Sequence, residues 1–285
     1  MSDSTRAARI WYQSFVDPAA QAPYVDRLRS RLAAVAAPGF TFDVNGIVPP
    51  DRYFHAITEF RCADQAIQAA ITAEKQGYDA FVIGHLQEPG LIECRGVVDI
   101  PVVSLGEATL LYACTLGRRI GLVTISPVFI PWHADQIRSH GLEHRVTGTT
   151  AIRADLARFM LAFEDAAEYA ALRDDFATAA RPLIAQGADV IVPAGGLPAL
   201  LFAREQPFAI DGALVVEGIA ALAKAAEMAV AMHRLTGAAV SRGGIYARAP
   251  DGAVTDYLAT RGTGQEGSAG APPHRTAPRF DPAGA

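Results

Sequence analysis

Short, nearly uninterrupted apolar runs alternate along the chain with longer stretches in which apolar residues recur every three or four positions. The runs at 9–15, 40–45, 80–84, 101–105, 120–124, 145–148, 189–194 and 213–216 predict strands. Several lack polar alternation, as strands covered on both faces do. Helical periodicity over 19–35, 62–76, 106–116, 127–140, 163–186 and 217–235 predicts the crossover helices. Alternation of this kind builds βαβ units around parallel sheets, so the expected fold class is α/β.

The pattern repeats. Gln76-Gly77-Tyr78-Asp79-Ala80-Phe81-Val82-Ile83 returns 110 positions later as Gln186-Gly187-Ala188-Asp189-Val190-Ile191-Val192-Pro193. In both copies a helix ends at Gln-Gly, where glycine suits a left-handed cap, and an Asp then opens a buried strand. A second echo follows each, Val102 to Ala108 resembling Leu214 to Ala220. Two pseudo-symmetric Rossmann-like lobes are expected, the first from 9–105 plus 215–236 and the second from 106–214. A C-terminal arm would occupy 237–260, and the Gly- and Pro-rich stretch 261–285 would be a disordered tail. Ligands of open parallel sheets bind beyond the carboxyl ends of the strands. The cleft should therefore gather His85, Gly195, Glu217 and the residues after 104 and 124.

Composition narrows the partners. The 25 Lys and Arg against 30 Asp and Glu give a net charge of −5, which offers no basic field for nucleic acid. No apolar run approaches the roughly 20 residues that cross a bilayer, and no export signal precedes Ile10, so a cytoplasmic protein with no membrane partner is expected. The three cysteines, Cys62, Cys94 and Cys114, form no CxxC pair and suit packing in a reducing compartment. No nucleotide-binding glycine motif occurs; His140 and His144 stand four residues apart, but Gly141 between them ends the helix, and no histidine pair has the spacing together with the accompanying acidic base of a metal helix. Neither cofactor nor metal is expected; a small-molecule substrate is.

The segment Gly77 to Leu91, with His85-Leu86-Gln87-Glu88-Pro89-Gly90-Leu91 at its end, resembles the aspartate/glutamate/hydantoin racemase superfamily, and most of all its hydantoin racemase branch. So do Asp99-Ile100-Pro101-Val102-Val103-Ser104-Leu105-Gly106-Glu107-Ala108, Leu116 to Thr124, Gly187 to Val192 and Val216-Glu217-Gly218, over roughly residues 9–236. The resemblance implies two facing lobes, a homodimer or higher homo-oligomer, and cofactor-independent proton transfer by two cysteines, one from each lobe. Neither cysteine is here: His85 stands at the first position and Gly195 at the second.

A glycine supplies no proton, so His85 is the candidate general acid/base, with Glu217 as its catalytic partner. Ser14, Thr124, Ser126, Gly195 and Gly196 are candidate substrate-binding residues, because they follow strands and offer hydroxyls or backbone N–H groups. Trp132 and His133 are further candidates to approach the cleft. Glu88 and Glu107 read as carboxylates at helix starts. The expected substrate is a small carboxylate or a cyclic amide or imide related to hydantoins. The expected reaction is hydrolytic ring opening, one-base isomerisation or decarboxylation. A racemase working without cysteine and a non-catalytic binding protein are the alternatives.

Overall fold

The computed structural model describes residues 6–152 and 154–262. β1 (Ala8–Gln13), β2 (Phe40–Asn45), β3 (Ala80–Ile83) and β4 (Val102–Ser104) form an all-parallel sheet in the order β2-β1-β3-β4. β5 (Ile120–Thr124), β6 (Val146–Ala151), β7 (Val190–Ala194), β8 (Ala209–Ile210) and β9 (Ala213–Val215) form a second sheet in the order β6-β5-β7-β9-β8, with β8 antiparallel at its edge. The first four strands of each sheet follow the same order. The echoed segments lead into β3 and β7, which occupy equivalent central places.

Those central strands read as solid apolar runs because both faces are covered: every residue of β3, β5 and β7 is buried. Their cover comes from α1 (Ala22–Val35), α2 (Ala56–Lys75), α3 (Leu91–Val97), α4 (Leu105–Leu116), α5 (Ile130–Ser139), α6 (Leu156–Glu164), α7 (Ala166–Ala185), α8 (Gly196–Phe202) and α9 (Gly218–Thr236). The chain crosses between lobes twice. β4 runs into α4, which packs against β7 and α9, and β9 runs into α9, which returns to α1, α4, β3 and β4. Each fully buried Leu, Ile, Val or Phe in these layers contributes about 1.5–3 kcal/mol.

The sequence echo has a physical purpose. Gly77 (φ 73°) and Gly187 (φ 94°) turn the chain out of α2 and α7 through the left-handed region that favours glycine. The Asp two residues later then clasps the neighbouring strand. Asp79 accepts from the Arg9 N–H at 2.9 Å and donates its own N–H to the Arg9 carbonyl at 2.8 Å. Asp189 accepts from the N–H groups of Arg118 and Arg119 at 2.9 and 2.8 Å, and donates to the Arg119 carbonyl at 2.9 Å. Each Asp thus sets the register of a parallel pair at its start.

The helices depart from the sequence reading in four places. α2 begins at Ala56 rather than 62, capped by His55, whose ring accepts from the Ile57 N–H. The long helix expected over 163–186 is two helices that meet at Asp165, which ends α6 and caps α7 by accepting from the Glu168 N–H at 2.8 Å. The two seven-residue helices α3 and α8 were too short for periodicity to show. After α9, Arg242 bonds the carbonyls of Arg95 and Val98 and pairs with Asp99, holding residues 242–246 on α3. The described residues 249–262 belong to a second unit and contain the helix α10 (Asp251–Gly262). Residues 261 and 262 close that helix, and the rest of the expected tail lies outside the described residues. Among the described residues no helix is long and apolar enough to cross a membrane.

Asp79 is also paired with Arg6 and Arg234 at 2.6 and 2.9 Å, which ties the end of α9 to the start of β1. Replacing Asp79 by Ala leaves the Arg9 N–H and two guanidinium groups without their acceptor. The variant should lose about 1–3 kcal/mol in urea denaturation, with an unchanged m-value.

Candidate active site

At the carboxyl ends of β1, β3, β5 and β7 lies a cleft open to solvent. Ser14 and Phe15 follow β1, Gly84 and His85 follow β3, Ile125 follows β5, and Gly195 and Gly196 follow β7. The rest of its wall is largely apolar, including Phe54, Phe129, Leu156 and Leu197, with Tyr24, Asp51 and Gln87 as the polar exceptions. No Arg or Lys is among the described residues lining it.

His85 is held on three sides. The Phe15 ring stands edge-on to the imidazole, with centroids 4.9 Å apart. Nδ1 accepts from the Gln87 backbone N–H at 3.3 Å. Nε2 lies 3.1 Å from Asp51 Oδ2 and 3.6 Å from Glu59 Oε1. Burial alone would push the imidazole pKa down. The charge of Glu59, the hydrogen bond and charge of Asp51 and a bond to the Gln87 side chain override it and carry the value up to about 9. Burial also raises the Glu59 carboxyl above its ordinary range, against the pull of His85. Asp51 and Glu59 are the residues that sequence reasoning missed. They come from the loop before α2 and from its first turn, far from residue 85 in sequence, and starting α2 at 62 excluded Glu59 from any element. The cluster Val48-Pro49-Pro50-Asp51, a loop signature closed by an acid, was the available signal.

Ser14 is buried in the cleft wall, where its hydroxyl bonds Tyr24; burial pushes that phenol up to about 12, so it stays neutral and able to donate. Gly196 sits close to both lobes, since a Cβ built there would lie 3.1 Å from the Gly84 carbonyl and 3.5 Å from the Tyr24 hydroxyl. At Gly195 the backbone is extended (φ 161°), and the nearest neighbours of a Cβ would be the Pro198 ring, tight at 3.1 Å, and Ile125 at 3.6 Å.

The other expected site residues are elsewhere. Glu217 is not brought to the cleft: it caps α9, accepting from the Ala220 N–H at 2.8 Å, and pairs with Arg31 at 3.2 Å beside Tyr112 and Lys224. Ser126 caps the short turn Pro127–Phe129, and only its neighbour Ile125 faces the cleft. Thr124 is fully buried and belongs to a polar relay with His133. The Thr124 hydroxyl is 3.1 Å from His133 Nε2, His133 Nδ1 is 3.1 Å from Gln136 Oε1, and Gln136 Nε2 donates to the Leu86 carbonyl at 2.5 Å. That relay locks the loop after His85 to α5. Trp132 lies on the far side, in a groove with His140.

Glu88 also departs from its reading as a dipole-complementing acid of the following helix. It sits outside α3 at φ 58°, and its carboxylate accepts from Ser104, from the Glu107 N–H at 2.5 Å and from His140 at 2.8 Å. It therefore caps α4 and reaches α5 in the second lobe. Burial opposes its ionisation, but these bonds outweigh it and hold its pKa below the ordinary range.

Residues 15–226 match the family model described as Asp/Glu/Hydantoin racemase. A hydantoin racemase of Pseudomonas sp. (strain NS671) is 34% identical over 88 residues, 31% of this chain and 35% of that protein. The hydantoin racemase of Rhizobium meliloti is 34% identical over 79 residues, 28% of this chain and 33% of that protein. The matches span about a third of the length of these curated relatives. An allantoin racemase from Klebsiella pneumoniae superposes with a TM-score of 0.69 at 22% identity, covering 85% of this chain and 94% of that one. Allantoin racemase from Pseudomonas fluorescens superposes at 0.65 with 23% identity, over 85% and 97%. These superpositions speak for the fold. The relatives are racemases, which are isomerases, and this overturns the hydrolytic and decarboxylating reactions expected from the emptied second position.

His133 makes the site sensitive to acid. Its burial, only partly offset by Gln136, lowers its pKa from 6.5 to about 4. Between those values the unfolded chain binds a proton that the folded chain does not, so stability falls as pH drops from 6.5 to 4, by about 3 kcal/mol from this group. Denaturation titrations stepped through that window should show a shallower loss in His133→Gln than in the parent protein.

Proposed function

Since the chain belongs to the Asp/Glu/hydantoin racemase family, we propose that it is a cofactor-independent isomerase that inverts the acidic stereocentre of a small cyclic amide or imide of the hydantoin type. The observation that carries this reading is His85, braced by Asp51 and Glu59 in a cleft whose second wall is the side-chain-free pair Gly195 and Gly196. A cleft without Arg or Lys and with a carboxylate in its wall disfavours an anionic substrate and suits a neutral ring. The identity of the matched relatives as hydantoin racemases supports the same class.

The chemistry follows from one base. In its neutral form, the minor one at pH values below its pKa of about 9, His85 takes the proton from the ring carbon beside the carbonyl, and the C–H electrons pass into that carbonyl to give a planar enolate. Asp51 and Glu59 stabilise the imidazolium that forms. The Ser14 and Tyr24 hydroxyls are neutral donors for the enolate oxygen. Water entering on the open Gly195-Gly196 side protonates the opposite face of the carbon, and the imidazolium returns its proton to solvent. The product is the mirror-image ring with all bonds conserved. The apolar wall of Phe15, Phe54 and Phe129 suits an apolar ring substituent.

The test is to incubate one enantiomer of a 5-substituted hydantoin with the protein in deuterated water and follow the ring C–H by NMR and the enantiomeric ratio by chiral chromatography. Exchange and inversion above the buffer rate are expected, and His85→Asn should slow both by about 10²-fold or more. Equal rates with and without protein, or an undiminished rate in His85→Asn, would overturn the reading and leave the binding-protein alternative.

A further inference from the structure

We propose that Asp51, Glu59 and His85 form a binding site for one divalent transition-metal cation, which takes the place of the proton on His85 Nε2. The three donors converge: one ligand atom from each lies within 4.8 Å of the others. Nε2 is 3.1 Å from the Asp51 oxygen and 3.6 Å from the Glu59 oxygen. A tetrahedral ion with bonds near 2.0–2.2 Å holds its donors roughly 3.3–3.6 Å apart, close to the two edges at His85.

A second observation points to a missing partner. Asp51 Oδ1 and Glu59 Oε1 are buried and accept no hydrogen bond, and the Asp51 side chain is only 8% exposed. Buried carboxylate oxygens of this kind are costly unless a donor or a cation meets them. The charges agree. Two carboxylates against one imidazolium leave an excess negative charge, whereas a divalent cation with neutral imidazole balances them. The nearby Arg61 is committed to the carbonyls of Pro49 and Pro50, at 2.5 and 3.0 Å. One imidazole nitrogen with two carboxylate oxygens suits zinc, manganese or cobalt rather than a soft-metal site. Asp51 and His85 both line the cleft, so the cation reaches them from solvent.

Filling the site removes the proton acceptor of the proposed isomerisation. That consequence rests on the proposed function, whereas binding does not. The experiment therefore reads binding directly: EDTA-treated full-length protein is titrated with Zn²⁺ by calorimetry and with Co²⁺ by visible absorption. One ion per chain is expected at micromolar affinity, with the intense bands of low-symmetry, four-coordinate cobalt. Asp51→Asn and Glu59→Gln, which keep the shape of each side chain, should each weaken binding by about 100-fold or more. Circular dichroism and melting of each variant confirm folding, and a Glu217→Gln variant, altered away from the cleft, should bind as the parent does. No stoichiometric binding, or binding that survives both cluster substitutions, overturns the inference. An active isomerase that binds no zinc would sink this site alone, and a zinc-binding protein without isomerase activity would sink the proposed function alone.

Discussion

The cleft depends on one buried carboxylate. Glu88 is where the loop after β3 stops following the first lobe and is tied to the second, through Ser104 and the Glu107 N–H on one side and His140 on the other. It adopts a left-handed backbone conformation that a glutamate rarely takes, and only a surrounding structure that over-determines it can hold it there. The Thr124–His133–Gln136–Leu86 relay clamps the same loop from β5. His85 stands three residues before Glu88 and one before Leu86, so both clamps fix the imidazole between the lobes. The glycine at 106 belongs to this arrangement: a Cβ there would fall 2.1 Å from Gln136 Nε2 and 2.4 Å from the Leu86 carbonyl.

The electrostatic character of the cleft comes from the same economy of space. Two acids and one imidazole share a volume with little solvent, and the imidazole is the member whose charge is favoured. Here the acids from α2 and its preceding loop hold the imidazole of His85 in the cleft wall.

Most of the fold was legible because buried parallel strands write themselves as solid apolar runs and because the Gln-Gly-x-Asp staple is repeated with its glycine and its acid intact. The elements that escaped were those whose signals are local and small: α3 and α8 at seven residues each, the break at Asp165 inside a continuous apolar period, and the first turn of α2. The site was legible only along the strands. Ser14, His85, Gly195 and Gly196 follow strand ends, where topology alone delivers them to the cleft. Glu217, Ser126 and Thr124 also follow strand ends, but their side chains are drawn into caps and a buried relay, which no spacing rule distinguishes from ligand contact. Asp51 and Glu59 could not be paired with His85 from sequence, because that contact is made by tertiary packing of a loop.

The extended backbone at Gly195 gives the far wall an unusual latitude. No left-handed geometry reserves that position for glycine, and what restrains a side chain there is chiefly the ring of Pro198. The identity of residue 195 is thus not dictated by the backbone conformation there. A single codon at 195 can put a side chain in that wall, with the Pro198 ring giving way by a few tenths of an ångström and the staples and the clamps on His85 lying elsewhere in the chain.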